Sequence, residues 1–150
     1  MWSGNERCYS FDPIRRNRSI AILIVMPRGV MPIPIVVDRV LLQQVILNLM
    51  MNAVEAMRTV SDRVRVLRIR TEEQTSGSIV VRVLDLGVGL DPKHSARMFE
   101  AFYTTKEEGI GMGLSISRSI IEAHGGRLWA VANDGPGSTF CFTLPIDKGR

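Results

Sequence analysis

Residues 45–57 read VILNLMMNAVEAM, and the reading of this stretch decides the fold. Its apolar content predicts a buried helix with Leu42, Ile46, Leu49, Ala53 and Met57 on one face. Asn48, Asn52 and Glu55 interrupt it at spacings of three or four, so they share one stripe. A polar group held from water without a partner costs about 1–3 kcal/mol. Something outside the helix must therefore supply partners for the amides and the carboxylate.

Working outward, Asp38 is a good N-cap for a helix from about 39 to 58. Upstream, IAILIVM at 20–26 predicts a strand, PRGVMPIP breaks the chain with three prolines, and residues 35–37 are a short extended piece. Residues 1–18 have no clear period and are expected to be a disordered lead-in or linker remnant, which leaves 19–150 as one domain. Downstream, VRVLRIRT at 64–71 and SIVVRVLD at 78–85 read as a hairpin. The alternation slips between Val66 and Leu67, either at a bulge or because that strand is buried on both faces. From 86 to 112 the chain is mostly loop, with a short helix after Pro92. A helix follows over about 113–124, closed by Gly125-Gly126, and strands over 127–132 and 138–144 flank the turn NDGPGS. This order argues an α/β (α+β) two-layer sandwich, a mixed sheet with helices packed on one face.

Composition bounds the function. With 45% hydrophobic and 23% charged residues among 150, the chain can build its own core. The net charge of +4 comes with Arg residues spread from Arg7 to Arg150, a weak argument for nucleic acid, and none is expected as a partner. Arg63, Arg65, Arg68 and Arg70 fall in one strand-like segment and read as a solvated sheet face or a docking surface for an acidic partner. Cys8 and Cys141 suggest neither a disulfide framework nor a metal site, which fits a reducing cytoplasm. The apolar run at 20–26 is far below the roughly 20 residues of a membrane span, so no membrane contact is expected.

Two further motifs carry chemistry. In DLGVGL, 85–90, Asp85 shares the parity of Ile79, Val81 and Val83, so its carboxylate should point into the apolar layer and require donors. The exocyclic amine of a purine is one, and Gly87 and Gly89 let backbone approach a flat ring. The plain alternative is an ordinary turn after a strand. In TTKEEGIGMGLSISRSI, 104–120, Gly109, Gly111 and Gly113 alternate just before a helix, where free N–H groups suit phosphate oxygens and Lys106 adds a charge. Its spacing matches neither the P-loop nor the dinucleotide fingerprint, and a glycine hinge without ligand is the alternative. Asn48 and Asn52, as hard oxygen donors, suit a hydrated Mg²⁺ held against a triphosphate, or else they cap a neighbouring loop.

Taken in this order, the motifs resemble the ATP-binding catalytic domain of sensor histidine kinases, within the superfamily that includes Hsp90 chaperones, DNA gyrase B and MutL. QQVILNLMMNAVEAM is similar to its N box, DLGVGL to the first glycine box, MFEAFYTTK to the F box and GIGMGLSISRSIIEAHGGRLW to the second glycine box. GPGSTFCFTLP resembles its last strand, and FYTTK with EAHGGRLW is closest to oxygen- and nitrogen-sensing kinases. The resemblance implies a Bergerat fold with a mobile ATP lid, and ATP with Mg²⁺ as cofactors. It implies that Asn52 and Asn48 hold the metal, that Asp85 accepts from adenine with Gly87, Gly89 and Thr139 beside it, and that Lys106, Gly109, Gly111, Gly113 and Leu114 meet the phosphates. Phe99 and Phe102 would anchor the lid, and Glu55 sits where the family varies. His94 and His124 are not expected to be acceptors, because the family carries its histidine on a separate dimerisation domain.

The function so implied is transfer of the γ-phosphate of Mg·ATP to that histidine, with a response regulator as the further partner. Asn48 stands where hydrolytic relatives carry a glutamate that activates water, so slow hydrolysis by the domain alone is expected. The alternatives are an anti-sigma-type serine kinase, or a non-catalytic fragment that binds nucleotide.

Overall fold

In the computed structural model of the chain, which describes residues 6–10, 20–27, 32–105 and 109–149, the decisive stretch lies in helix α1, Arg39–Ala56. Asp38 caps it, its carboxylate accepting from the Val40 and Leu41 N–H groups at 2.9 and 3.0 Å. Met57 closes the other end. Val45, Leu49 and Ala53 are buried along it, with Leu42 and Ile46 partly so.

The strands are β1 (Glu6–Ser10), β2 (Ile20–Pro27), β3 (Arg65–Gln74), β4 (Ser78–Asp85), β5 (Arg127–Ala132) and β6 (Ser138–Pro145). Two more helices, α2 (Pro92–Ser95) and α3 (Gly113–Ala123), complete the order. The strands form one mixed sheet in the order β1-β2-β3-β4-β6-β5, with β2 parallel to β3 and the other pairs antiparallel. The β2–β3 pair needs a crossover, and α1 lies within it. Strand β1 occupies residues that the sequence reading assigns to an unstructured lead-in; the other residues of that segment lie outside the described ones.

Helices α1 and α3 pack together and against the same face of β3, β4, β5 and β6. Between the layers lie Leu49, Met57, Leu67, Ile121 and Phe142, all at 0% exposure. Each such side chain contributes about 1.5–3 kcal/mol by leaving water. Pairing of β3 runs without a break through Val66 and Leu67, so the slip in alternation is no bulge. Leu67 points into the core, while half-buried Val66 lines a cavity on the other face, about 460 Å³, with Leu23, Arg68 and Leu84.

Candidate functional site

The last inward side chain of β4 is Asp85, 1% exposed. Its Oδ1 accepts from the Gly87 N–H at 2.8 Å and its Oδ2 from the Ser138 hydroxyl at 2.9 Å. Among the described residues no cation pairs with it. Burial pushes its carboxyl above the usual range, opposed by the Gly87 N–H and by the hydroxyl and N–H of Ser138. The backbone around it leaves no room for side chains. A Cβ on Gly137, at φ +89°, would lie 1.9 Å from the Asp85 carbonyl oxygen, and one on Gly87 would lie 2.6 Å from that of Ala56. Gly89, also at positive φ, faces Gly137.

The threonine expected beside Asp85 is turned away. Thr139 pairs with Leu84, so its side chain belongs to the opposite face of the sheet from Asp85. Its hydroxyl donates to Asn133 Oδ1 at 2.7 Å, and Asn133 Nδ2 in turn donates to the carbonyls of Asp85 and Pro136. Ser138, one residue earlier, takes the expected place. The parity that selects it was present in the sequence, but the strand register against β4 was not.

On α1, Asn48 Nδ2 donates to Gly113 O at 3.3 Å and to Ser117 Oγ at 3.2 Å. A carbonyl only accepts, so the amide nitrogen takes this contact and Oδ1 is the side chain's acceptor atom. Asn52, half-buried, follows one turn on, and the next turn ends at Ala56, whose carbonyl accepts the Val88 N–H at 3.0 Å. The α1 stripe and the turn after Asp85 therefore meet. Glu55 leaves this arrangement and pairs with Arg58 at 3.3 Å.

Helix α3 starts without a side-chain cap, so its first N–H groups are not engaged by one. Gly113 opens it beside Asn48, and Leu114 is half-buried against the core. Gly111, at φ +73°, is pressed on the F-box backbone, where a Cβ would come within 2.6 Å of Phe102 C and 2.7 Å of Tyr103 O. Gly109 is half-buried, and Lys106 lies outside the described residues. Phe99 packs its ring edge-on to Phe140, whereas Phe102, at φ +64°, is 72% exposed.

Both histidines have other engagements. His94 bonds to the Tyr103 hydroxyl through Nδ1. His124 Nε2 accepts the Asp38 N–H at 3.2 Å, so its Nδ1 carries the proton that goes to Ile120 O at 2.7 Å. Two of the four arginines of the strand-like run also leave the sheet face. Arg65 binds the Val60 and Arg58 carbonyls, and Arg63 those of Leu86 and Gly87. Nothing in the periodicity singled out Arg63.

Among the described residues no three His, Cys, Asp or Glu side chains are grouped to hold a metal. The donors at this site are amide oxygens, which fit an ion such as Mg²⁺ that keeps waters and takes its other ligands from phosphates. A buried carboxylate between glycines, an amide stripe and an uncapped helix start thus lie on the helix-covered side of one α/β sandwich, the arrangement expected of an ATPase-type domain.

Comparison with known proteins agrees. Residues 37–148 match the family described as "Histidine kinase-, DNA gyrase B-, and HSP90-like ATPase", and the chain belongs to it. The sensor protein FixL of Bradyrhizobium diazoefficiens is 50% identical over 111 residues, 74% of this chain and 22% of its own. TdiS of Thauera aromatica is 40% identical over 138 residues, 91% of this chain and 24% of its own. The chain thus spans about a quarter of these relatives. Among solved structures, full-length ShkA in complex with AMPPNP matches 88% of this chain and 27% of its own, with a TM-score of 0.73 and 28% identity. The catalytic domain of histidine kinase ThkA matches 73% of this chain and 68% of its own, with a TM-score of 0.63 and 35% identity.

Proposed function

We propose that this chain binds Mg·ATP and presents the γ-phosphate to a histidine on a separate helical dimerisation domain, from which a response regulator takes it, in the cytoplasm. The observation that carries this reading is Asp85, a carboxylate 1% exposed, without a cation beside it among the described residues, and ringed by glycines against α1. Such a group suits the adenine amine. Asn52 and Asn48 Oδ1 would hold Mg²⁺, which supplies charge neutralisation at the phosphates. The N–H groups at the start of α3, where Gly113 stands, would orient the phosphates, joined by Gly109, Gly111 and Lys106 from the sequence just before it.

Positioning and charge neutralisation dominate phosphoryl transfer, and a neutral imidazole needs no strong base to attack. Asn48 has its amide bound to α3 and carries no basic group, so water is not activated there. Among the described residues no helix is long and apolar enough to cross a membrane. The sensor kinase names of the relatives support the histidine acceptor over a serine. Calorimetric titration with a non-hydrolysable ATP analogue should show binding that strengthens with Mg²⁺, and an added histidine domain should acquire acid-labile phosphate from ATP. Binding indifferent to the metal would count against the reading, and acid-stable phosphoserine would replace it with the serine kinase.

A further inference from the structure

Arg63 lies between α1 and β3, outside the residues that the nucleotide reading uses. Its guanidinium acts as a fork. Nε donates to Leu86 O at 3.0 Å and Nη2 to Gly87 O at 2.8 Å, while Nη1 rests on the Asp62 carboxylate at 3.0 Å. The two carbonyls belong to successive peptide units, and no peptide bond among the described residues is cis. In a trans unit the C=O and N–H point in opposite directions. The unit whose oxygen sits on Nε therefore aims the Gly87 N–H at Asp85 Oδ1, 2.8 Å away. The unit whose oxygen sits on Nη2 aims the Val88 N–H at Ala56 O, 3.0 Å away. One side chain, working from behind, sets both planes. The residue between the two units is a glycine, which has the backbone freedom to turn either plane over once the clamp is gone.

We propose that Arg63 is a positioning residue for adenine recognition: by clamping the two peptide planes after Asp85, it holds the carboxylate and the end of α1 in the arrangement that reads the base. This rests on the nucleotide reading above and adds a residue to it. The action is geometric. Besides burial, the groups that act on Asp85 are the Gly87 N–H and Ser138, and the guanidinium charge already faces Asp62. Lysine, a point charge without a fork, cannot reproduce it.

Titration of the 150-residue chain with ATP and with inosine triphosphate, both with Mg²⁺, tests this, because inosine carries an oxo group where adenine has its amine. The unsubstituted chain should prefer ATP. In Arg63→Gln and Arg63→Lys that preference should fall about tenfold, with inosine triphosphate binding as before; Asp62→Asn, which frees the fork's anchor, should show a smaller fall. Loss of a merely structural contact weakens both nucleotides alike, so an unchanged preference in the Arg63 variants overturns the proposal. If Arg63→Gln does not fold, Arg63→Lys and Asp62→Asn decide by the same ratio. A parent chain that binds both nucleotides equally removes the assignment of Asp85 to the base, and this proposal with it; a parent that prefers ATP beside variants that still do removes this proposal alone.

Discussion

On the proposed reading, the burial that makes Asp85 costly to the fold is also what suits it to the base. Burial raises its pKa, so the folded chain binds this proton more tightly than the unfolded one. The associated stability is complete below about pH 4, the unfolded carboxylate value, and is lost as pH rises through the raised folded value. Asp85→Asn removes that dependence, since an amide can accept from Gly87 and donate to Ser138 Oγ. Its melting temperature at pH 7 should equal or exceed the parent's, with the difference vanishing in acid, while nucleotide affinity falls by about a hundredfold or more. A destabilised variant at neutral pH would show that the charge supports the fold. Its neighbours on β6 make a second test at the same scale. Ser138→Ala should weaken nucleotide binding about tenfold, whereas Thr139→Ala, on the other face, should lower the melting temperature by loosening Asn133 and leave affinity near the parent's. Equal losses in titrations of the two would contradict the faces assigned to them. The inward placement of Asp85 was legible because its parity follows Ile79, Val81 and Val83; that of Ser138 beside it was not, because one residue of register changes the face.

Elements were legible wherever local chemistry marks their ends. Asp38 starts α1 as expected, and Gly113 and Gly125 bound α3. Strand β3 outran its expected end because pairing continues to Glu73 with Ile79 and Gln74 with Ser78, and Gly77 at φ +80° then closes the turn. Long-range pairing decided that boundary, and no property of the residues in EEQTSG announced it. The glycines at the entrance to α3 separate two demands that the sequence shows as one motif. A Cβ on Gly113 would make ordinary contact with Asn48 at 3.8 Å, while one on Gly111 would collide with the F-box backbone from a positive φ. Gly113→Ala should therefore keep or slightly raise stability to urea, and Gly111→Ala should lose about 1–3 kcal/mol. A destabilised Gly113→Ala beside an unaffected Gly111→Ala would reverse the packing described.

At the scale of the whole molecule, the two-layer sandwich followed from element order, but the sheet order did not. That β2 runs parallel beside β3, with β6 inserted between β4 and β5, depends on which strand edges meet after α1 and α3 cover the face. Helix α1 is what the parts have in common. At residue 48 it carries the start of α3, and at residue 56 it carries the turn that follows Asp85. Between those points a helix climbs about 12 Å at 1.5 Å per residue, a span held by its own backbone bonds. The helix is thus a rigid calliper. On the proposed reading, one jaw grips the base and the other measures where the polyphosphate ends, so a diphosphate seated by the same base would stop short at the Asn48 jaw alone.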